Sequence, residues 1–213
     1  MYRYVLFDLD GTLTDPGEGI TNSVMYALRQ LGIEERDRTK LYSFIGPPLK
    51  ETFMEKYGFS EEKAMEAVRQ YRVYFQDRGI FENVPYEGMK ECLNALKESG
   101  RHLIVATSKP DVFAKRILER FGFAPYFDAV YGASMDETRT KKDEVIAYAL
   151  KEAGISDLSE CVMVGDREHD IRGAKMNGLD SVGVLYGYGS LRELEKAGAD
   201  YIAETAEDIL KYV

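Results

Sequence analysis

The chain has little of what disulfide-rich or membrane-spanning proteins require. Only two cysteines, Cys92 and Cys161, occur among 213 residues, so we expect no disulfide framework. No apolar run approaches the roughly 20 residues that span a bilayer, and Arg3 and Asp8 interrupt the first run. We therefore expect no membrane partner and no signal peptide, and a cytoplasmic location.

Basic charge is also scarce. Lys and Arg number 28 against 37 Asp and Glu, which gives a net charge of −9 and a pI near 4.9. Proteins that bind nucleic acids usually need an excess of positive charge for the phosphate backbone, so we expect no nucleic-acid partner. The 45% hydrophobic fraction is enough for an ordinary globular core. The length predicts one domain, or one domain that carries a large insert.

Short apolar runs alternate with helical patterns over most of the chain. The apolar runs predict buried strands at 4–9, 103–106, 161–164 and 181–185, with a weaker one at 129–131. The helical patterns between them cover 88–98, 111–121, 142–153 and 171–177. This alternation predicts an α/β fold, a Rossmann-like, doubly wound parallel sheet with helices on both faces.

One long segment breaks this alternation. Residues 15–83 show helical periodicity at 20–31, 48–57 and 61–76 and contain no convincing strand. Ser60, followed by two glutamates, is a predicted N-cap for the last of these helices. The sequence thus predicts a core domain of residues 1–14 and 84–213 and an inserted helical domain of residues 15–83.

Polar residues lie at or after the ends of three of the predicted strands. They are Asp8 and Asp10 at the end of the first strand, Thr107 and Ser108 after the second, and Asp166 and Asp170 after the third. Because parallel strands present their carboxyl ends at one edge, these residues are predicted to meet there. Carboxylates crowded together repel one another, and with oxygen ligands alone Mg²⁺ is the expected counter-ion.

The same edge is suited to a phosphate group. Backbone N–H groups and hydroxyls come from Gly11, Thr12, Thr107 and Ser108, and Lys141 or Lys142 begins a helix whose N-terminus favours anions. Phosphate monoesters hydrolyse very slowly without catalysis, so an enzyme needs both charge neutralisation and a nucleophile. One carboxylate can form an aspartyl-phosphate, and another two residues on can protonate the leaving group.

These residues together resemble the motifs of the haloacid dehalogenase-like hydrolases. Asp8-Leu9-Asp10-Gly11-Thr12 is similar to the first motif, and Thr107 to the second. Lys142 is similar to the third motif, with Lys141 as an alternative, and Gly165-Asp166 with Asp170 to the fourth. The resemblance covers nearly the whole chain, and residues 15–83 occur where this family has a helical cap.

The resemblance implies a role for each residue of the predicted site. Asp8 would be the nucleophile and a Mg²⁺ ligand, and Asp10 would be the acid/base and would ligate through its main-chain carbonyl. Thr107 and Lys142 would hold the phosphoryl oxygens. Asp166 would complete the metal shell, and Asp170 would bind the metal directly, act through water or orient its neighbours. Asp10 distinguishes the chain from true dehalogenases and from transporting ATPases.

Substrate choice is expected in the inserted segment. Gly46, Pro47 and Lys50 lie in a stretch that resembles the specificity loop of the phosphoglycolate phosphatase and pyrophosphatase branch. The resemblance implies a Mg²⁺-dependent phosphatase for a small phosphorylated metabolite: phosphoglycolate, pyrophosphate, a nucleoside monophosphate or a sugar phosphate. A phosphomutase and a phospho-ligand-binding module with little turnover are the alternatives. The chain is expected to be a monomer or a homodimer.

Two other patterns are interpreted structurally. Cys161 and Arg167 have the spacing of the phosphate loop of cysteine-dependent tyrosine phosphatases, but the residues between them have the pattern of a buried strand, and Asp166 would repel phosphate. An inert, buried Cys161 is therefore expected. The segment Gly187-Tyr188-Gly189 lacks the third glycine of a dinucleotide fingerprint, and a surface loop near the site is expected there.

Overall fold

The computed structural model describes residues 2–136 and 138–213. The chain divides into two compact units. The core unit contains the residues up to Asp15 together with Pro85–Val213, and the inserted unit is Pro16–Val84. No helix in the described ranges combines the length and the apolar character that crossing a membrane requires.

The core unit is built on a six-stranded sheet in which all neighbouring strands are parallel. Its order is β5-β4-β1-β6-β7-β8. The six strands are β1 (Tyr4–Phe7), β4 (His102–Pro110), β5 (Ala129–Ala133), β6 (Cys161–Gly165), β7 (Asp180–Val184) and β8 (Tyr201–Ala203). Two further short strands, β2 (Thr14–Asp15) and β3 (Val84–Pro85), lie where the chain passes between the units. The prediction of a Rossmann-like parallel α/β fold is confirmed.

Helices connect these strands, as expected for parallel strands whose connections must cross over. The core-unit helices are α4 (Met89–Glu98), α5 (Asp111–Arg120), α6 (Lys142–Glu152), α7 (Glu168–Met176) and α8 (Leu191–Ala197). Strands β1 and β6 carry apolar, mostly buried residues on both faces, which is typical of a parallel sheet covered on both sides. One core cluster joins Leu6, Ile104 and Met163 of the sheet to Val145 and Ala149 of α6.

The inserted unit consists mainly of helices. They are α1 (Gly17–Gln30), α2 (Leu49–Tyr57) and α3 (Glu61–Asp77), with 3₁₀ turns at Arg38–Phe44 and Gly79–Phe81. Ser60 caps α3 by accepting a hydrogen bond from the Lys63 N–H at 3.3 Å, which confirms the predicted N-cap. The unit has its own aromatic cluster, in which Phe53 stacks on Phe59 and contacts Phe44.

Some element boundaries differ from the prediction. Strand β1 ends at Phe7, and β4 continues through Thr107 to Pro110, with a register shift against β5 between these two residues. Helix α7 begins at Glu168 because Asp170 accepts a hydrogen bond from the Arg167 N–H and thereby satisfies the first turn. Strand β8 and helix α8 were not predicted; they are only three and seven residues long.

Candidate active site

The register of the central strands brings three sequence-predicted residues to one edge of the sheet. Phe7, the last residue of β1, pairs with Val105 of β4 and Val164 of β6. Asp8, which follows β1, therefore lies one residue before the level of Thr107 in β4 and of Asp166, which follows β6. The Asp8 N–H donates to the Val164 carbonyl at 2.9 Å, which holds β1 against β6 up to the site.

Lys142 joins two of the carboxylates. Its Nζ lies 2.7 Å from Asp8 Oδ1 and 2.8 Å from Asp170 Oδ1, and it donates to the Ala106 carbonyl at 3.2 Å. Burial works to lower the pKa of Lys142, but the charges of Asp170 and Asp8 outweigh it and raise the pKa. Lys141, the sequence alternative, is exposed at the start of α6. The geometry thus favours Lys142 over Lys141 as the lysine of the site.

Three buried carboxylates form a cluster with the geometry of a cation site. Asp8, Asp166 and Asp170 each offer an oxygen, and these oxygens lie within 4.8 Å of one another. Burial raises the pKa of Asp166 well above its ordinary range, and the neighbouring charges of Asp170 and Asp8 raise it further. A bound cation would relieve this repulsion. Because the donors are carboxylate oxygens, the cluster fits a hard divalent ion.

Asp166 is oriented by its own hydrogen bonds. The Tyr188 N–H donates to Oδ2 at 2.8 Å, and the Thr12 hydroxyl donates to Oδ1 at 3.5 Å. Thr12, predicted to bind substrate, therefore contacts a predicted metal ligand. In Asp170, Oδ1 faces Lys142 and Oδ2 accepts from the Arg167 N–H at 3.0 Å. Both oxygens of Asp170 thus already have partners within the protein.

The side chain of Asp10 is not a member of that acidic cluster; it pairs with Lys109. Lys109 Nζ is 2.7 Å from Asp10 Oδ2, and both side chains are buried. Burial raises the pKa of Asp10, while the charge and hydrogen bond of Lys109 oppose the rise. Sequence analysis did not identify Lys109. Its position two residues after Thr107 places it at the same strand end, which was the available signal.

A glycine-bearing loop between β7 and α8 packs directly on Asp166. A Cβ on Gly187 would lie 2.4 Å from Asp166 Cβ and 2.3 Å from the Gly11 carbonyl, and one on Gly189 would lie 1.9 Å from the Asp166 carbonyl. The Tyr186 hydroxyl donates to the Thr12 carbonyl at 3.0 Å. The loop was expected only near the site; it packs against both Asp166 and the turn after β1.

Gly11 is a second position at which a side chain could not fit. Its φ is +87°, and a Cβ there would lie 2.3 Å from Asp166 Oδ2. Thr107 is buried, and its Oγ1 accepts from the Lys109 N–H at 3.2 Å. Ser108 follows it in β4 and is partly exposed. Thr107, Ser108 and Gly11 thus lie along the same edge of the sheet as Asp8.

The predicted specificity residues belong to the inserted unit. Gly46 has a φ of +100°, and Pro47 follows it just before α2. Lys50, in the first turn of α2, pairs with Glu61 at 3.1 Å. Their role in substrate binding stays a prediction.

Cys161 lies far along β6 from the acidic cluster. It pairs in register with Tyr4 at the start of the strand, whereas Asp166 follows the end of the same strand. Burial raises the pKa of its thiol to about 11, and Asp157 and Glu160 contribute to the rise. Arg167 pairs with Glu193 at 2.9 Å. This arrangement agrees with the interpretation of Cys161 as a buried, unreactive thiol.

Comparisons with known proteins agree with the motifs. The family model described as haloacid dehalogenase-like hydrolase matches residues 5–184. A 5'-nucleotidase of Pseudomonas aeruginosa is 51% identical over 193 residues, covering 91% of this chain and 87% of the relative. The tyrosine-protein kinase PtkA of Mycobacterium tuberculosis is 39% identical over 205 residues, covering 96% of this chain and 69% of the relative. A crystal structure of a predicted phosphatase from Clostridium acetobutylicum superimposes with a TM-score of 0.97 at 50% identity, covering 100% of this chain and 98% of the other.

Proposed function

This chain belongs to the haloacid dehalogenase-like hydrolase family and is an enzyme of the phosphatase type, and from that premise we propose that it is a Mg²⁺-dependent phosphatase for a small phosphorylated metabolite. The observation that carries the proposal is the position of Asp8. Its carboxylate contacts Lys142 at 2.7 Å and is also a member of the acidic cluster with Asp166 and Asp170. In this proposal the Asp8 carboxylate is the nucleophile. It also pairs with Lys142, the proposed phosphate-binding residue, and belongs to the proposed metal site.

In the proposed reaction, Asp8 attacks the phosphorus atom of the substrate. The bond from phosphorus to the leaving oxygen breaks, and an aspartyl-phosphate forms on Asp8. Asp10 donates a proton to the leaving oxygen. It then accepts a proton from the water that attacks the phosphorus of the aspartyl-phosphate. Inorganic phosphate leaves, and both carboxyl groups return to their starting states.

The remaining residues stabilise charge. Lys142 and Thr107 are proposed to hold the phosphoryl oxygens, together with the backbone N–H groups after Asp8. Asp8, Asp166 and the Asp10 main-chain carbonyl are the proposed metal ligands. When bound, Mg²⁺ would supply positive charge that offsets the repulsion between these carboxylates and a phosphate dianion. Asp170 is proposed to orient Lys142, because its Oδ1 lies 2.8 Å from Lys142 Nζ.

A nucleoside 5'-monophosphate is the substrate class we favour among the candidates. The support is the similarity to a protein named 5'-nucleotidase, at 51% identity over 91% of this chain. The inserted unit is proposed to act as a cap that closes over the substrate and excludes water. Gly46, Pro47 and Lys50 are proposed to contact the part of the substrate that differs between candidates.

The test is phosphate release from a panel of nucleoside monophosphates, phosphoglycolate, pyrophosphate and sugar phosphates. Wild-type protein should release phosphate with Mg²⁺, lose activity in EDTA and recover it when Mg²⁺ is restored. Asp8→Asn should abolish turnover, whereas Asp128→Asn, which changes a carboxylate paired with Lys97 elsewhere, should not. Full activity of Asp8→Asn would refute the nucleophile assignment.

Product analysis separates the phosphatase from other phosphoryl-transfer enzymes. In a phosphomutase, the aspartyl-phosphate passes its phosphoryl group to a sugar hydroxyl instead of water. A phosphatase should therefore convert glucose 1-phosphate to free phosphate, whereas a phosphomutase should give an isomer. The similarity to PtkA adds a protein tyrosine as an acceptor to be tested with ATP as donor. Tight binding of a phosphorylated ligand without turnover would favour the binding-module alternative.

A further inference from the structure

We propose that Lys109 is a positioning residue for Asp10: it ties one carboxylate oxygen, Oδ2, and leaves the other, Oδ1, to exchange the proton with the leaving oxygen of the substrate. The inference rests on the proposed function, in which Asp10 is the acid/base. It adds a residue that none of the four motifs includes, and it distinguishes the two oxygens of Asp10.

The two oxygens of Asp10 have different surroundings. Oδ2 lies 2.7 Å from Lys109 Nζ, and the side chains of the pair are only 5% and 10% exposed. Oδ1 is buried and has no hydrogen-bond partner within the described part of the chain. A buried carboxylate oxygen without a partner is costly, and such groups in native proteins usually have a functional reason. A proton shared with the leaving group would provide that partner during the reaction.

Lys109 is itself held from two sides, so it can act as a fixed anchor. Its N–H donates to Thr107 Oγ1 at 3.2 Å. Its carbonyl packs against Gly132 of β5, where a Cβ would lie 2.4 Å away. This close approach coincides with the register shift between β4 and β5. The backbone of Lys109 can therefore take this position only because residue 132 is a glycine.

Fixing Oδ2 matters because proton transfer depends on geometry. A general acid must lie within hydrogen-bond distance of the leaving oxygen, and a carboxylate that rotates freely satisfies this only part of the time. With Lys109 in place, the Asp10 carboxylate has one tied oxygen and one available oxygen. Over the full reaction Asp10 gives one proton and regains one.

The experiment compares two substrates that differ in their need for an acid. The leaving group of a nucleoside 5'-monophosphate is a strongly basic alkoxide, which needs a proton. The leaving group of 2,4-dinitrophenyl phosphate is a stable phenolate, which does not. We measure kcat/KM on both for wild type, Lys109→Met, Lys109→Gln, Lys109→Arg and Asp10→Asn. Lys115→Met, which changes a lysine of α5 that is 56% exposed, is the matched control.

The expected result is a selective loss. Lys109→Met should lower kcat/KM on the nucleotide at least tenfold more than on the dinitrophenyl ester, within the range that general acid catalysis contributes (about 10²–10⁴-fold). Asp10→Asn should show the same selectivity, Lys109→Arg should regain part of the nucleotide activity, and Lys115→Met should behave as wild type. If Lys109→Met does not fold, Lys109→Gln serves for the same comparison.

Failure of the inference is distinguishable from failure of the proposed function. If Asp10→Asn loses activity equally on both substrates, Asp10 is not the acid and the proposed mechanism is wrong. If Asp10→Asn is selective but both Lys109→Met and Lys109→Gln lose activity equally on both substrates, Lys109 has only a structural role and the inference is overturned.

Discussion

Removing the charge of Lys142 should destabilise the metal-free protein more than any surface change could. Lys142 lies 2.7 Å and 2.8 Å from two carboxylates, and all three side chains are at most 3% exposed. Coulomb's law with an effective dielectric constant near 20 gives each contact a gross attraction of about 6 kcal/mol. Burial of the three charges offsets much of this, and breaking a buried pair typically costs about 3–5 kcal/mol.

We therefore expect Lys142→Met to lower the free energy of unfolding in EDTA by about 3–5 kcal/mol, measured by urea denaturation. Burial raises the pKa of Asp170 while the charge of Lys142 opposes the rise, so without Lys142 the loss should be larger at pH 8 than at pH 5, where Asp170 can protonate. Added Mg²⁺ should restore part of the stability but not the activity.

Lys141→Met is the matched control, because it removes a lysine at the adjacent, exposed position. It should change the free energy of unfolding by less than about 0.5 kcal/mol and leave kcat near wild type. The reasoning is refuted if Lys142→Met unfolds at the same urea concentration as wild type in EDTA, or if the control loses as much activity as Lys142→Met does.

Three further predictions concern the glycine loop, pH and the cysteines. Gly187→Ala should weaken Mg²⁺ binding about 10–100-fold, because the new Cβ would displace Asp166; titration calorimetry measures this, and unchanged affinity would contradict it. In EDTA, Asp166→Asn should become increasingly more stable than wild type as pH rises. Burial and neighbouring charges raise the folded-state pKa of Asp166, so wild type loses stability from about pH 4, where the group ionises in the unfolded chain, up to the raised pKa of the folded state. A stability difference that does not change with pH in urea titrations would contradict this. Burial raises the pKa of Cys92 to about 12, and Cys161 is also buried, so iodoacetamide should label both thiols only on unfolding; rapid labelling of the folded protein, seen by mass spectrometry, would be the contrary result.

Much of the site could be predicted because its residues lie at or near the carboxyl ends of the strands. Asp8, Thr107 and Asp166 come directly after apolar runs, and parallel pairing brings such positions to one edge of the sheet. The alternation of strands and helices predicted that pairing. The fold and the meeting of these three residues therefore needed only local patterns and a general property of parallel sheets.

Sequence analysis favoured Lys142 over Lys141, and the structure shows the contacts of Lys142. Adjacent residues of a helix point about 100° apart, so one faces the sheet edge and the other faces solvent. The sequence carries a local signal for Lys142, because the apolar residues Val145 and Ile146 follow it by three and four positions and share its face of α6. Lys142 turns inward because Asp8, Asp170 and the Ala106 carbonyl, which come from three separate segments, surround its Nζ.

The contacts of Lys109 and of the glycine loop were beyond sequence analysis. Lys109 and Asp10 come from the ends of two different strands and pair only in the folded chain. Gly187 follows β7, and it contacts Asp166 because the chain after β7 turns back toward the site. The short helix α8 did have a local signal. Ser190 and Glu193 have the spacing of a capping box, and the Ser190 hydroxyl accepts a hydrogen bond from the Glu193 N–H.

Trapping the covalent intermediate tests the central claim most directly. Protein mixed with Mg²⁺ and a radiolabelled nucleoside 5'-monophosphate should be quenched in acid within one turnover, digested and analysed by mass spectrometry. The account predicts one phosphoryl group on the peptide that contains Asp8, with none on the Asp8→Asn variant. Phosphoryl label on any other residue, or turnover by the Asp8→Asn variant at the wild-type rate, would contradict it.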